Sequence, residues 1–385
     1  MTAVESLVRA AAGEADRLNA EGARILQICN ACRYCEGYCA VFPAMERRLE
    51  FDPASLAYLS NLCHQCGACF YACQYAPPHE FGVNVPKVFA ALRLQSYEDY
   101  AWPRAFASAY RHNNAVIAFA LGASLALFFV LAIAVGPGLS ARPAGSFYAV
   151  FPHGLLVTVF GIAFTLAIVA MSISALRFRQ AINRGQIPRS ARQNEGSVPD
   201  VLLGGTRDLS PVLAALKLDN LDGGGEGCYV RAGFDHPPDR MRKWFHHFTF
   251  YGFLLCFAST ALGTIYHYAL GSPAPYAFAH PVVLLGILGG IGLVVGPAGL
   301  IALKRRHDRV LLDEAQSGVD SGFTWLLLAT SATGLALLAF RDTYAMPMLL
   351  AIHLGAVLAL FLTLPYGKFV HGLYRYLALA RRAEE

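Results

Sequence analysis

The chain has 385 residues, 56% of them hydrophobic and 15% charged, with ten cysteines and a formal net charge of +5. Ordinary soluble domains are about 45–50% apolar and about 25% charged, so one large water-soluble core is excluded. The positive charge comes without a nucleic-acid-binding motif and stands beside apolar segments, which excludes a nucleic-acid partner and points to a lipid bilayer.

The first 28 residues are polar, mixed in charge and without an apolar stretch of signal-peptide type. The N-terminal part is therefore expected to stay in the cytoplasm. Thiols are reduced there, so dense cysteines point to metal rather than disulfides. The first cysteine run is Cys29, Cys32, Cys35 and Cys39; the second is Cys63, Cys66, Cys69 and Cys73. Both read C-x2-C-x2-C-x3-C, and each cysteine of the first recurs 34 positions later. Three thiolates so spaced wrap three corners of one cubane cluster, and the fourth reaches the other cluster. That crossing assigns Cys29, Cys32, Cys35 and Cys73 to one cluster, and Cys63, Cys66, Cys69 and Cys39 to the second. Structural zinc is the bland alternative, but it uses CxxC pairs a dozen or more residues apart. The proline that usually follows the fourth cysteine is replaced by Ala40 and Gln74, with Pro43 and Pro77 farther on.

From residue 113 onward apolar runs dominate. Six are long enough to span a bilayer, at about 114–136, 148–175, 244–269, 280–303, 322–341 and 346–367. The connection 176–243 carries Arg177, Arg179, Arg184, Arg189, Arg192, Arg231, Arg240, Arg242 and Lys243. Lys304, Arg305, Arg306 and Arg309 follow in 304–321, and Lys368, Arg375, Arg381 and Arg382 in the tail. The opposite connections offer only Arg142. The positive-inside rule then places both termini and the cysteine domain on the cytoplasmic face of a bacterial inner membrane. The expected division is 1–112 cysteine domain, 113–176 two membrane helices, 177–243 cytoplasmic loop, 244–371 four further membrane helices and 372–385 tail.

The histidines of these helices carry the next signal. On one continuous last helix, His353 and His371 are 18 residues apart, which is five whole turns and about 27 Å. Both rings would leave one face, at depths suited to two stacked haems. Partners are expected from the third helix, where His246 and His267 lie within about 60° of one face. The pairs are therefore His246 with His371 and His267 with His353, with His247 in reserve and one or two b-type haems. Imidazole is a standard axial haem ligand, and ionisable groups in a membrane are costly unless used. His112, His153 and His280 are read as interfacial anchors and Cys256 as packing. The glycine cluster Asp222–Cys228 has no preceding strand and is read as a loop rather than a phosphate cradle. His79 and Glu80, after the second cysteine run, are read as structural. No nucleophile–base pair appears, so the chain carries electrons without a site for organic substrate chemistry.

The stretches Ile28–Pro43, Cys73–Phe81 and Trp244–Leu254 resemble the tricarballylate (or citrate) utilisation B family, and the likeness covers nearly the whole chain. The resemblance implies two [4Fe–4S] clusters, haem, and an FAD-dependent tricarballylate dehydrogenase as partner. The chain would reoxidise that flavin and pass electrons to the membrane quinone pool. The histidine spacing on the last helix also resembles the haem-bearing membrane subunits of nitrate reductase, in geometry only. The expected fold is mainly α: a ferredoxin-like two-cluster helical domain followed by a six-helix, cytochrome b-like transmembrane bundle. Two other functions compete with this reading. One reverses the flow, with quinol feeding a soluble reductase; the other is a membrane redox sensor.

Overall fold

A computed structural model describes residues 3–111, 114–135, 147–184, 209–219, 221 and 240–385. The glycine cluster Asp222–Cys228, His112, Arg142, Arg189, Arg192 and Arg231 lie outside the described residues. Every regular element among the described residues is helical. Short helices gather the cysteines: α1 (Ala3–Cys32) ends on the second cysteine of the first run, and α2 (Val41–Glu46) follows the fourth. α3 (Pro53–Leu62) stops one residue before the second run. Asp52 starts it by accepting the Ser55 N–H, and Pro53 supplies a preset φ in the first turn. α4 (Ala68–Tyr71), α5 (Val85–Asp99) and α6 (Arg104–Arg111) complete the domain around buried Leu26, Met45, Leu59, Leu62 and Phe89.

The remainder comprises α7 (Asn114–Val135), the short α8 (Phe147–Val150), α9 (His153–Arg184) and α10 (Ser210–Lys217). α11 (Met241–Tyr268), α12 (Pro281–Arg306), α13 (Glu314–Ala339), α14 (Met346–Thr363) and α15 (Val370–Glu384) follow. Six of them, α7, α9, α11, α12, α13 and α14, are long and apolar enough to cross a membrane. Phe119, Ile133 and Leu288 stand at least 60% exposed on these helices, an apolar surface suited to hydrocarbon and not to water.

The observed helices outrun the apolar segments. α9 continues to Arg184, α12 to Arg306, and α13 begins at Glu314, where Asp313 accepts the Gln316 N–H. The connections expected over 177–243 and 304–321 are therefore partly helical, because hydropathy registers the hydrocarbon-length stretch and not the polar turns beyond it. Arg341, expected inside the fifth span, lies past the end of α13. There it donates to the Tyr276 carbonyl at 2.8 Å and covers the Phe278 ring.

A larger correction concerns the last helix. The continuous five-turn helix carrying both His353 and His371 does not form: α14 ends at Thr363 and α15 starts at Val370. Pro365 lacks a backbone donor and obstructs the turn before it. Gly367 then lets the chain close on α6, since a Cβ there would lie 2.6 Å from the Tyr110 hydroxyl. The break redirects α15 under the cysteine domain. Tyr374 stacks on Phe178 with ring centroids 4.5 Å apart and packs edge-on to Tyr97. At its far end Glu384 pairs with Arg179 at 2.7 Å, and Glu385 pairs with the buried Arg48.

α11 and α12 approach so closely that glycine is required between them. A Cβ on Gly289 would lie 2.7 Å from the Cys256 nitrogen and sulfur, and one on Gly296 would lie 2.6 Å from the Thr249 nitrogen. Cys256 thus belongs to the helix packing. Gly289→Val is expected to push the two helices apart at a cost of about 1–3 kcal/mol. The check is a lower melting temperature of the detergent-solubilised protein, with Gly263→Ala as control, since a Cβ there meets only Val282 and Tyr276 at ordinary contact distance.

Candidate functional site

The eight paired-run cysteines gather around two cavities. Cys29, Cys32, Cys35 and Cys73, with Cys69 at the edge, line a space of about 280 Å³. Cys39, Cys63, Cys66 and Cys69 line a second, smaller space. The structure thus brings together the two crossed quartets. Local backbone explains how each run folds back on itself. The residue after the second cysteine takes the left-handed conformation in both, Arg33 with φ 54° and Gly67 with φ 85°. These positions are 34 apart, so the sequence repeat is also a conformational repeat. Arg33 bears the strain of a non-glycine residue, while at Gly67 a Cβ would also strike Leu311 at 2.8 Å.

Electrostatics in the two quartets asks for a cation among the sulfurs. Burial, then Cys73, Cys35 and Cys32, push the Cys29 thiol up to about 12. Burial, then Cys73, push Cys35 up to about 12 as well. Burial and Cys63 raise Cys39 to about 11, against the pull of the Val41 and Phe42 amides and Arg375. Four thiolates at one place repel each other, and a positively charged metal core reverses that. Among the described residues no three His, Cys, Asp or Glu side chains converge on a single ion. The donors surround cavities instead, a layout that fits a multi-iron cluster in each.

The second quartet sits against the membrane helices. Its loop, Leu62–Gln65, is held by three arginines from three helices. Arg93 of α5 donates to the Cys63 carbonyl and, at 3.3 Å, to the Gln65 side chain. Arg242 of α11 donates to the Gln65 carbonyl at 2.8 Å, and Arg375 of α15 to the Leu62 carbonyl at 2.9 Å. His64 is buried in the same loop with neither ring nitrogen hydrogen-bonded. Burial first, then Arg375, Arg242 and Arg93, hold it well below the ordinary histidine range, so it is neutral. Sequence reasoning counted Arg242 and Arg375 only as topology charges. The missed signal was position: Arg242 precedes His246 by four residues and Arg375 follows His371 by four, one helical turn in each case.

Beneath this loop the His246 and His371 rings face each other with centroids 5.9 Å apart and planes at 75°. That spacing is close to the roughly 6 Å that two imidazoles need to ligate one iron from opposite sides. His371 donates through Nδ1 to the Lys368 carbonyl, which leaves Nε2 as the ring atom that could ligate a metal. Burial, then Lys368 and His246, hold His371 well below its ordinary range, in the neutral form an axial ligand requires. His246 has a buried Nδ1 without a hydrogen-bond partner. His247, the reserve, turns away and stacks on Tyr251. Lys368 itself pairs with Asp320 at 2.9 Å.

The second expected histidine pair is not brought together. His267 stacks on His153 at 4.3 Å, beside Tyr148 and Tyr268. His353 points into α13, where its Nδ1 meets the Thr330 carbonyl at 3.1 Å and the Thr333 hydroxyl at 3.2 Å. Gly334 makes room for that ring, since a Cβ would lie 2.9 Å from His353 Cε1. The reason is depth. His267 is one residue from the end of α11, whereas His353 lies seven residues, about 10 Å, inside α14. His79 and Phe81 pack on Tyr75 beside the second cysteine run, and the His79 Nδ1 accepts the Phe81 N–H.

The family described as Citrate utilization protein B matches residues 110–385, and its Fer4-like domain matches residues 22–110. The chain is 51% identical over 368 residues to the Citrate utilization protein B of Escherichia coli, covering 95% of this chain and 92% of that protein. No solved structure matches the chain. The Fer4-like match makes the cysteine domain an iron–sulfur domain, joined to a bundle of apolar helices.

The turn at Gly67 is the most constrained point of the second quartet. Gly67→Ala is expected to cost about 1–2 kcal/mol from the left-handed backbone alone, with the Leu311 clash added. Thermal unfolding followed by circular dichroism should show a lower midpoint for Gly67→Ala, and no comparable loss for Gly37→Ala, where nothing lies within 4 Å of a Cβ.

Proposed function

We propose that this chain, which belongs to the citrate utilization protein B family, carries electrons from a reduced flavoprotein to membrane quinone through two [4Fe–4S] clusters and one b-type haem. The observation that carries the reading is a continuous set of contacts from the two cysteine spaces to the His246–His371 pair. The half-buried Cys29 quartet shares Cys69 with the space of the Cys63 quartet, and Arg242 and Arg375, each one helical turn from a histidine of the His246–His371 pair, bind the loop that bears Cys63.

Cys29, Cys32, Cys35 and Cys73 would hold the outer cluster, and Cys39, Cys63, Cys66 and Cys69 the inner one. His246 and His371 would hold the haem. When bound, these groups accept and release single electrons. The flavin hydroquinone of an FAD-dependent tricarballylate dehydrogenase gives up two electrons and two protons, and a quinone takes up two of each. The residues of this chain supply sites at which the electrons pass singly. Arg240, Lys243, Lys304, Arg305 and Arg306 crowd the bundle end that bears the iron–sulfur domain, which supports a cytoplasmic location for that domain in a bacterial inner membrane.

Purified protein is expected to hold about eight irons with matching acid-labile sulfide, and one haem per chain. Reduction by the flavoprotein with its substrate, followed by a quinone analogue, should return the haem absorbance to its oxidised form. A haem that stays reduced on quinone addition overturns the proposal. Cys73→Ser and Cys39→Ser should each lower the iron content by up to half, each affecting a different cluster signal. His371→Ala should lose the haem and keep the iron, whereas His353→Ala should keep both.

A further inference from the structure

The reading above leaves open which cluster delivers electrons to the haem and what makes them move that way. We infer that Arg93, Arg242 and Arg375 clamp the inner quartet over the His246–His371 pair and raise its reduction potential above that of the outer quartet, so that electrons collect at the inner cluster. The inference rests on the proposed cofactors, and its test separates the two.

Geometry carries the first half. The three guanidinium groups bind three carbonyls of one loop, at Leu62, Cys63 and Gln65. Arg242 and His246 are one turn apart on α11, and Arg375 and His371 one turn apart on α15. Each histidine of the pair is therefore tied, through its own helix and one hydrogen bond, to the segment that bears Cys63. Among the described residues the outer quartet has no such link. Its cysteines are half-buried and share their space with Tyr34, which is 68% exposed.

Charge carries the second half. The anionic groups that face Arg375 are Cys63 and Cys39, and the other charged groups facing it are the cations Arg93 and Arg242. One donor of Arg375, Nη2, is buried without a partner in the described structure. The charged groups facing Cys29 and Cys35 are other cysteines only. Adding an electron makes a cluster more negative, and a fixed cation nearby favours that state. Burial opposes it, because Cys63 and Cys66 lie in low dielectric. A unit charge within several ångströms of a buried site changes the reduced-to-oxidised ratio by about tenfold or more, so three outweigh the burial. One electron leaves the outer site as one arrives at the inner site, and no proton is exchanged.

The test is a potentiometric titration of the full-length protein in detergent, with both clusters followed by electron paramagnetic resonance. Cys32→Ser identifies the outer signal. Arg375→Met is expected to lower the midpoint of the inner signal, cutting its reduced-to-oxidised ratio about tenfold at any fixed poise, with the outer signal unmoved. Arg375→Lys should restore most of the shift, since it keeps the charge and loses the fork. Arg242→Met, on a different helix, makes the same comparison where Arg375→Met does not accumulate. An unmoved inner midpoint in the methionine variants, or an outer midpoint that moves as far, overturns the inference and leaves the proposed cofactors standing. Wild-type protein without two cluster signals overturns the cofactor reading, and this inference with it.

Discussion

A guanidinium group cannot be buried alone, and the fold turns on the way three of them are accommodated at Leu62–Gln65. Each charge-assisted hydrogen bond to a carbonyl contributes about 1.5–3 kcal/mol. Taking a cation out of water costs several kcal/mol, so carbonyls alone do not repay the buried Arg93 and the half-buried Arg242 and Arg375. Cys63 and Cys39 face Arg375, and as ligands of the proposed cluster they would provide the missing negative charge. The dependence is mutual. Without the arginines the loop has unsatisfied carbonyls in the interior, and without anionic sulfur the arginines have no reason to be there. Because they come from α5, α11 and α15, one loop fastens the iron–sulfur domain to two different membrane-side helices.

Two backbone devices make that convergence possible. Gly252, Gly289, Gly292 and Gly296 allow α11 and α12 to touch through main chain, which fixes the axis of the helix bearing Arg242 and His246. The Pro365–Gly367 break frees α15 from the line of α14 and lays it across the base of the domain, with Arg375 and His371 toward α11 and Tyr374 toward Phe178. Small residues and a break appear where the chain needs close approach and a change of direction. The long apolar faces elsewhere meet lipid and place few demands on sequence.

Much of this was legible in the sequence, and the exceptions share a cause. The cysteine quartets could be read because ligand spacing reports local geometry, and the spans because hydropathy reports an environment. The His246–His371 pair was reached through a premise that fails. Periodicity along an unbroken helix suggested it, whereas the rings meet because the helix breaks between His353 and His371. The same periodicity paired His267 with His353 wrongly in space, since angle around an axis says nothing about depth along a neighbouring helix. Arg242 and Arg375 were hidden in another way. A basic residue at the end of a membrane helix satisfies the topology rule, and nothing local distinguishes one that also reaches a buried loop.

The histidine geometry bears on what the proposed path can accomplish. Stacked ligand pairs at both ends of the bundle would lead electrons across the membrane and couple the reaction to charge separation. In the structure the only facing pair among the expected ligands lies at the end that carries the iron–sulfur domain. At the far end His267 lies flat against His153 and is ringed by Tyr148 and Tyr268, an aromatic cluster of the kind that settles at a membrane interface. His353 is held by α13 through Thr330 and Thr333 and packs into the bundle. With one haem at His246–His371, as proposed, electrons would arrive and leave on the same side, and the proposed oxidation of flavin would drive quinone reduction without moving charge through the bilayer. The charged groups Asp320, Lys368, Arg242 and Arg375 then gather at that same end, where Asp320 pairs with Lys368. The rest of the bundle is left apolar, which is the composition the chain shows.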